Sequence, residues 1–299
     1  MAFFALSFLP VSNLIPFGAT MAERYMYIPS FAVCLGIAAL FDRLPHVRYK
    51  YIPAFLILCA LTFFTVHRIG AWRNDVSLWS DTLACAPASA EAHINLANAY
   101  MLAGMTDRAI DLYLEAPETG DSYDAGKYYY DLGLAYEKTG RYDRARAAFE
   151  SSVKFNPRSP EPYYHLGRIA AAGGDIESGL KMMEAGIKAD PENALSYYVA
   201  ARYIMQNYRD GESIKKAGKW LRHAVRIEPS SGLYYGSLGE ALLRLGLFAD
   251  AEKALLSSVR NDPGQLASYR LLIRLYETTG QPARAMEIRK KMSTALPKK

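Results

Sequence analysis

Few side chains in this 299-residue chain have the type and spacing that catalysis requires. Cys34, Cys59 and Cys85 form no C-x-x-C pair and no Cys/His spacing typical of a zinc site. His165 has no second potential metal ligand at a suitable spacing. No nucleophile–base motif and no phosphate-binding loop is recognisable. The sequence therefore predicts no catalytic residue, no metal site and no cofactor within the chain itself.

The charge distribution argues against nucleic acid as a partner. The net charge of +5 divides into +3 for residues 1–69, which contain only seven charged residues, and +2 for residues 70–299. A protein that binds a phosphate backbone tightly needs a clear excess of lysine and arginine. The charged part of this chain is close to neutral, so we exclude nucleic-acid binding.

Two apolar segments in the N-terminal quarter are long enough to cross a membrane. Residues 51–69 carry no charge before Arg68, and residues 25–44 have Tyr25 and Tyr27 at one end as interfacial aromatics. The alternative is a buried hairpin in a soluble protein. We expect residues 1–69 to be a membrane segment in contact with lipid, and residues 70–89 to be a junction containing a capping helix.

The first nine residues, 1–9, are apolar but too short to span a bilayer. No lysine or arginine precedes them, which argues against a secretory signal. Pro10 and Pro16 then interrupt any helix. This pattern is typical of the end of a helix whose beginning is absent, and we expect the chain to be the C-terminal part of a larger membrane protein.

The short loop between the two predicted spans contains Arg43, His46, Arg48 and Lys50. By the positive-inside rule this loop faces the cytoplasm, although Arg68 and Arg73 on the other side keep the bias modest. Everything after residue 69 then lies on the opposite side. We therefore expect an integral protein of a bacterial inner membrane whose C-terminal part is periplasmic.

A sequence pattern of about 34 residues repeats from residue 90 to 299, and Gly133, Gly167 and Ala201 fall 34 apart. Small residues let two helices approach closely, glycine ends the first helix of each unit, and proline follows the second. The turn glycines are Gly104, Gly140, Gly174, Gly246 and Gly280. The closing prolines are Pro157, Pro191, Pro229, Pro263 and Pro297.

This pattern resembles the tetratricopeptide-repeat (TPR) family. The resemblance implies a superhelical solenoid of six TPR units over residues 90–299. Together with the apolar segments, it leads us to expect an all-α fold in which two transmembrane helices precede the solenoid. Residues 117–124 replace the usual ending of the first unit. Gly239 comes 38 residues after Ala201, and we place the four extra residues near 207–212. Residues 75–87 resemble a lone second helix that caps the stack and couples it to the membrane helix.

In TPR proteins the first helices of the units line a concave groove. Transferring the groove positions predicts a surface rich in tyrosine and arginine, which suits an extended polypeptide with some acidic character. The predicted groove residues are Asn95, Asn98, Tyr130, Asp131, Tyr164, His165, Arg168, Tyr198, Arg202, Arg270 and Arg274. The alternative is that the tyrosines only pack and that the arginines form a solvated face without a ligand.

A second resemblance covers about residues 8–90. Residues 10–16 (PVSNLIP), Gly18 and residues 22–30 (AERYMYIPS), with Trp72 and Trp79, look like a motif of transmembrane-and-TPR O-mannosyltransferases and their bacterial relatives. In that family the catalytic acid lies in an early outward-facing loop, upstream of anything in this chain. The resemblance therefore implies that this chain lacks the residue that would make it an enzyme alone.

Within this resemblance, Glu23 and Arg24 stand at the outward end of a predicted span. Our hypothesis is that Arg24 contacts the phosphate of a lipid-linked donor and that Glu23 orients Arg24. The alternative is that Glu23 and Arg24 pair with each other or with lipid headgroups.

Three functions remain open from the sequence. The first is a membrane-anchored TPR module that displays its groove outside the cytoplasm and binds a polypeptide partner. The second is the C-terminal part of a lipid-donor-dependent glycosyltransferase, resembling a protein O-mannosyltransferase, whose repeats bind the acceptor polypeptide. The third is an assembly factor that holds two periplasmic proteins together.

Overall fold

The structure is a computed structural model that describes residues 55–56, 59–60, 62–63, 69–116 and 125–295. The chain divides into two compact units, Met1–Leu78 and Trp79–Lys299. Among the described residues, no helix has the length and apolar character needed to cross a bilayer. The predicted span 25–44, most of the predicted span 51–69 and the irregular segment 117–124 lie outside the described residues.

From residue 75 onward, the described chain is all-α, as predicted. The thirteen helices of this part are α1 Asp75–Cys85, α2 Ala90–Leu102, α3 Thr106–Glu115, α4 Ala125–Lys138, α5 Tyr142–Phe155, α6 Glu161–Ala172, α7 Ile176–Ala189, α8 Ala194–Asn207, α9 Gly211–Ile227, α10 Gly232–Arg244, α11 Phe248–Asn261, α12 Leu266–Thr278 and α13 Pro282–Ala295. Helix α1 has no buried residue, and its predicted capping role stays a prediction.

Six helix pairs follow α1, and each pair packs internally: α2 with α3, α4 with α5, α6 with α7, α8 with α9, α10 with α11 and α12 with α13. Small residues set the distance within a pair. A Cβ added at Gly133 of α4 would lie 2.6 Å from the Phe149 ring of α5, and Phe149 is fully buried. The glycine is therefore what lets the large ring fill the interface, as the repeat pattern predicts.

The turns confirm the predicted roles of glycine and proline at the helix ends. The turn glycines after α2, α4, α6, α10 and α12 all have positive φ, between 70° and 91°, a conformation that only glycine adopts without strain. Pro157, Pro191, Pro229 and Pro263 each stand two residues after the end of a second helix. A proline there cannot continue the helix, so the chain turns into the next pair.

The fourth pair departs from the others where the sequence places its extra residues. The connection between α8 and α9 is Tyr208, Arg209 and Asp210, without a glycine, and Asp210 accepts a hydrogen bond from the backbone N–H of Ser213 at 2.8 Å. Helix α9 has 17 residues, compared with 14 in α5, α7, α11 and α13. The insertion therefore lengthens α9 and leaves the turn short.

Buried side chains hold neighbouring pairs together, and one hydrogen bond recurs within two of the pairs, α4–α5 and α10–α11. Ser152 donates to the carbonyl oxygen of Gly126 at 2.7 Å, and Ser258 donates to that of Gly232 at 2.6 Å. First helices also contact each other directly, α2 with α4, α8 with α10 and α10 with α12. The polar side chains predicted to line the groove therefore come from helices that adjoin in space.

Candidate functional site

The first-helix face is formed by α2, α4, α6, α8, α10 and α12, and it carries two polar clusters. We call Tyr130, Glu137, His165 and Arg168 the histidine cluster, which joins α4 and α6. We call Arg202, Glu240 and Arg244 the arginine cluster, which joins α8 and α10. Each cluster links two successive repeats.

In the histidine cluster, His165 Nδ1 lies 2.6 Å from Glu137 Oε2, and Arg168 Nη2 lies 3.6 Å from Glu137 Oε1. The His165 ring stacks on Phe149 with 4.7 Å between ring centroids, and the Tyr130 hydroxyl lies 3.5 Å from Nε2. Burial lowers the pKa of His165, and this effect outweighs the opposing influence of Glu137. A neutral His165 donates from Nδ1 to Glu137 and accepts from Tyr130 through Nε2.

Asn98 and Asp131 meet beside the histidine cluster. The Asn98 side-chain oxygen accepts a hydrogen bond from the Tyr113 hydroxyl, and Asn98 also bonds to Asp131. Burial raises the pKa of Asp131, although Lys127 and the bond from Asn98 act in the opposite direction. The N-terminal end of the first-helix face therefore holds a desolvated carboxyl group.

The arginine cluster is centred on one carboxylate. Arg202 Nη1 lies 2.8 Å from Glu240 Oε2, and Arg244 Nη2 lies 2.6 Å from Glu240 Oε1. Arg244 also donates through Nη1 to the carbonyl oxygen of Met205, in the last turn of α8, at 2.6 Å. Arg244 thus satisfies a helix-end carbonyl of the preceding repeat. The cluster carries two positive charges and one negative charge.

A cleft of about 380 Å³ lies beside the arginine cluster. Its walls are largely apolar, and its lining residues are Glu240, Leu243, Arg244, Phe248, Leu271, Arg274, Leu275 and Thr278. Arg270 and Arg274 of α12 are exposed, and neither forms an ion pair within the described part of the chain. The cleft therefore combines apolar surface with an available cation.

The other predicted groove residues have mainly packing roles. Tyr164 is buried, and its hydroxyl shares a hydrogen bond with Ser196 of the next repeat. Tyr198 packs on Tyr234 with 5.2 Å between ring centroids. Asn95 is half-buried on α2. For these tyrosines the structure supports the packing alternative. Glu23 and Arg24 lie outside the described residues.

Sequence reasoning missed the acidic partners, Glu137 and Glu240, and also Arg244. A positional comparison could have found Glu240, because it follows Gly239 as Arg168 follows Gly167 and Arg202 follows Ala201. When the same position is arginine in two repeats and glutamate in the next, the pattern predicts an ion pair between neighbouring repeats. Glu137 lies in the last turn of α4, and only the coordinates show that this turn faces His165.

Family comparison identifies the repeats over most of the described helices. Models described as tetratricopeptide repeat match residues 92–121, 118–160, 130–194 and 237–288. One solved structure, the MamA RS-1 ArsTM double mutant, superposes with a TM-score of 0.50 at 18% identity and covers 58% of this chain and 95% of that one. This likeness shows the fold.

Three similar proteins are named protein O-mannosyl-transferases. One from Caenorhabditis elegans is 33% identical over 121 residues, which is 40% of this chain and 18% of that protein. TMTC3 of Mus musculus is 23% identical over 264 residues, covering 86% of this chain and 26% of that protein. Tmtc1 of Drosophila melanogaster is 24% identical, and the match covers 80% of this chain and 38% of that protein. The chain thus spans less than half the length of these relatives.

Proposed function

The chain is a member of the tetratricopeptide-repeat family, and we propose that its first-helix face binds an extended polypeptide segment of acidic character. The observation that carries this proposal is the cleft lined by Arg274 of α12. Arg274 and Arg270, one turn earlier on the same helix, are both exposed and have no ion pair within the described residues. A guanidinium presents a planar fork of donors that matches a carboxylate. The cleft beside Arg274 can take an apolar side chain of the same segment.

The rest of the first-helix face fits an extended ligand. The histidine cluster offers Tyr130, His165 and the exposed Arg168, so hydrogen-bonding groups continue along the face from α12 toward α4. At the α4 end, Asp131 and Glu137 add negative charge. An acidic segment would therefore bind most strongly near α10 and α12.

The test uses the full chain in phosphatidylcholine nanodiscs and a fluorescein-labelled copolymer of glutamate and tyrosine as the probe. We expect fluorescence anisotropy to show saturable binding, and a lysine–tyrosine copolymer to bind much more weakly. Replacing Arg270 and Arg274 by serine should weaken binding roughly tenfold or more, at about 1 kcal/mol for each exposed charge pair. The matched control replaces Arg222 and Arg226 on α9. Equal losses in both variants would refute the proposed location.

We propose that the N-terminal segment anchors the repeats on the non-cytoplasmic side of a membrane. The basic loop between the two predicted spans supports this orientation. Cys85 is exposed and lies just before the first repeat, so it can report the side. A membrane-impermeant maleimide added to intact spheroplasts should label Cys85 in a variant without Cys34 and Cys59. Labelling only after permeabilisation would contradict the orientation.

A second candidate is that the chain acts within a glycosyltransferase and that its repeats present the acceptor polypeptide. The match to TMTC3 covers 86% of this chain, more than residues 90–299 can supply, so it continues into the N-terminal region. In this candidate Arg24 contacts the phosphate of a lipid-linked donor and Glu23 orients Arg24.

Reading the genomic DNA upstream of the Met1 codon tests this second candidate. An open frame that encodes further apolar spans and an acidic loop supports it, and a nearby in-frame stop codon contradicts a single-chain enzyme. If such a frame exists, Arg24→Ala in the longer protein should weaken binding of the lipid-linked donor. Unchanged donor binding would remove Arg24 from the proposal.

A further inference from the structure

Helix α9 has an exposed face with an unusual concentration of positive charge. Its sequence contains five lysines and arginines and a single glutamate, whereas the residues after 69 as a whole are close to neutral. Lys215, Lys219, Arg222 and Arg226 recur at intervals of four, three and four residues, which places them on one stripe of the helix. All four are exposed, and the opposite side of α9 is buried.

Most of this charge is not neutralised within the described structure. Lys216 pairs with Glu184 of α7 at 2.5 Å, and Lys215 pairs with Glu212 at 3.5 Å. Lys219, Arg222 and Arg226 form no ion pair with any residue that the structure describes.

The next two second helices also carry exposed cations. Helices α9 and α11 both pack on α10, and α11 and α13 both pack on α12. On α11, Lys253 and Arg260 are exposed seven residues apart and form no ion pair among the described residues. On α13, Lys290 is exposed four residues after Met286, an apolar side chain that is 70% exposed.

We propose that this surface, defined by Lys219, Arg222, Arg226, Lys253, Arg260 and Lys290, docks onto anionic phospholipid headgroups. The width of this surface favours a bilayer over a single acidic helix as the partner. The cations are spread over three helices, and one partner helix could cover the cations of only one of them. Exposed lysines and arginines attract anionic lipid without any pocket. Met286 adds an apolar side chain that can enter the headgroup region. The surface lies on second helices, so it is separate from the proposed polypeptide site.

The test measures binding of free vesicles to the full chain immobilised in phosphatidylcholine nanodiscs. Vesicles of phosphatidylcholine with phosphatidylglycerol should bind, vesicles of phosphatidylcholine alone should not, and added salt should weaken the binding. Replacing Lys219, Arg222 and Arg226 by serine should reduce the affinity on the order of 100-fold, at about fivefold for each cation. The matched control replaces Arg146, Lys154 and Arg158, three exposed cations of the second repeat.

Two results would overturn the proposal. Equal losses in the two triple variants would show that net charge, and not this surface, attracts the vesicles. Absence of vesicle binding, together with binding of a glutamate polymer that the α9 variant loses, would assign the surface to an acidic protein. Circular dichroism of each variant verifies that the helices are intact before its affinity is interpreted.

Discussion

Replacing Glu240 by glutamine should change stability and ligand binding in opposite directions. Glu240 is the single acid between Arg202 and Arg244, and all three side chains are about one-third exposed or less. The variant keeps a hydrogen-bond acceptor and loses two ion pairs, one between repeats four and five and one within α10. For partly exposed pairs worth 0.2 to 1 kcal/mol each, we expect about 1 kcal/mol less stability.

Binding should become tighter because the glutamine leaves Arg202 and Arg244 without a carboxylate partner, and Arg244 lines the cleft. An exposed charge pair contributes about 1 kcal/mol near contact distance, so the affinity for the glutamate–tyrosine copolymer should rise about threefold to tenfold. Urea unfolding followed by circular dichroism gives the stability, and fluorescence anisotropy gives the affinity.

The control for this experiment is Glu212→Gln, which removes the same charge from an exposed pair with Lys215 on α9. It should leave copolymer binding unchanged and should cost little stability. If Glu240→Gln binds the copolymer no more tightly than Glu212→Gln does, then Glu240 does not mask the arginines. The reasoning about the charge of the cleft would then be refuted.

Three further predictions concern the helix pair α4–α5 and its neighbour α6. Gly133→Ala should destabilise the protein by about 1–3 kcal/mol, because the added Cβ would lie 2.6 Å from Phe149. The control Gly218→Ala, where the added Cβ meets nothing within 4 Å, should not destabilise it. Urea unfolding measures the stability of both variants. The pKa of His165 in the folded state lies below 6.5, so His165 is protonated more readily in the unfolded chain. The stability of the protein should therefore fall as the pH drops below about 6.5. A His165→Gln variant whose stability has the same pH dependence as the wild type would contradict this prediction. Burial raises the pKa of Asp131, so the charged carboxylate disfavours folding at neutral pH. In the same unfolding assay, Asp131→Asn should therefore be more stabilising relative to wild type at neutral pH than at acidic pH. A variant less stable than wild type at neutral pH would show that neighbouring groups compensate the carboxylate.

The helix pairs were predictable because their signals are local. A glycine that must adopt positive φ, a proline that cannot continue a helix and a small residue opposite a large one all constrain the backbone within one repeat. Gly140 and Pro157 therefore fix the ends of α4 and α5 in the sequence as well as in the structure. The extra residues of the fourth repeat were predicted near 207–212, and the structure shows a longer α9 that begins at Gly211.

The chemistry of the first-helix face was only partly predictable, because it depends on contacts between repeats. The positions of Arg168 and Arg202 follow from the repeat register, but their pairing with Glu137 and Glu240 requires knowing which turns of successive helices face each other. Tyr164 was predicted as a groove residue, yet its hydroxyl is used by Ser196 inside the stack. A sequence pattern does not distinguish a tyrosine that packs inside the stack from a tyrosine that binds a ligand, because the side chain suits both roles.

Photo-crosslinking tests most directly the claim that the first-helix face binds an acidic polypeptide. A benzoylphenylalanine residue at Thr278, which lines the cleft, is compared with one at Lys253, which is exposed on α11. With the glutamate–tyrosine copolymer present, we predict a crosslink from position 278 and none from position 253. A crosslink from position 253 alone would place the ligand on the second helices and would contradict the proposed site.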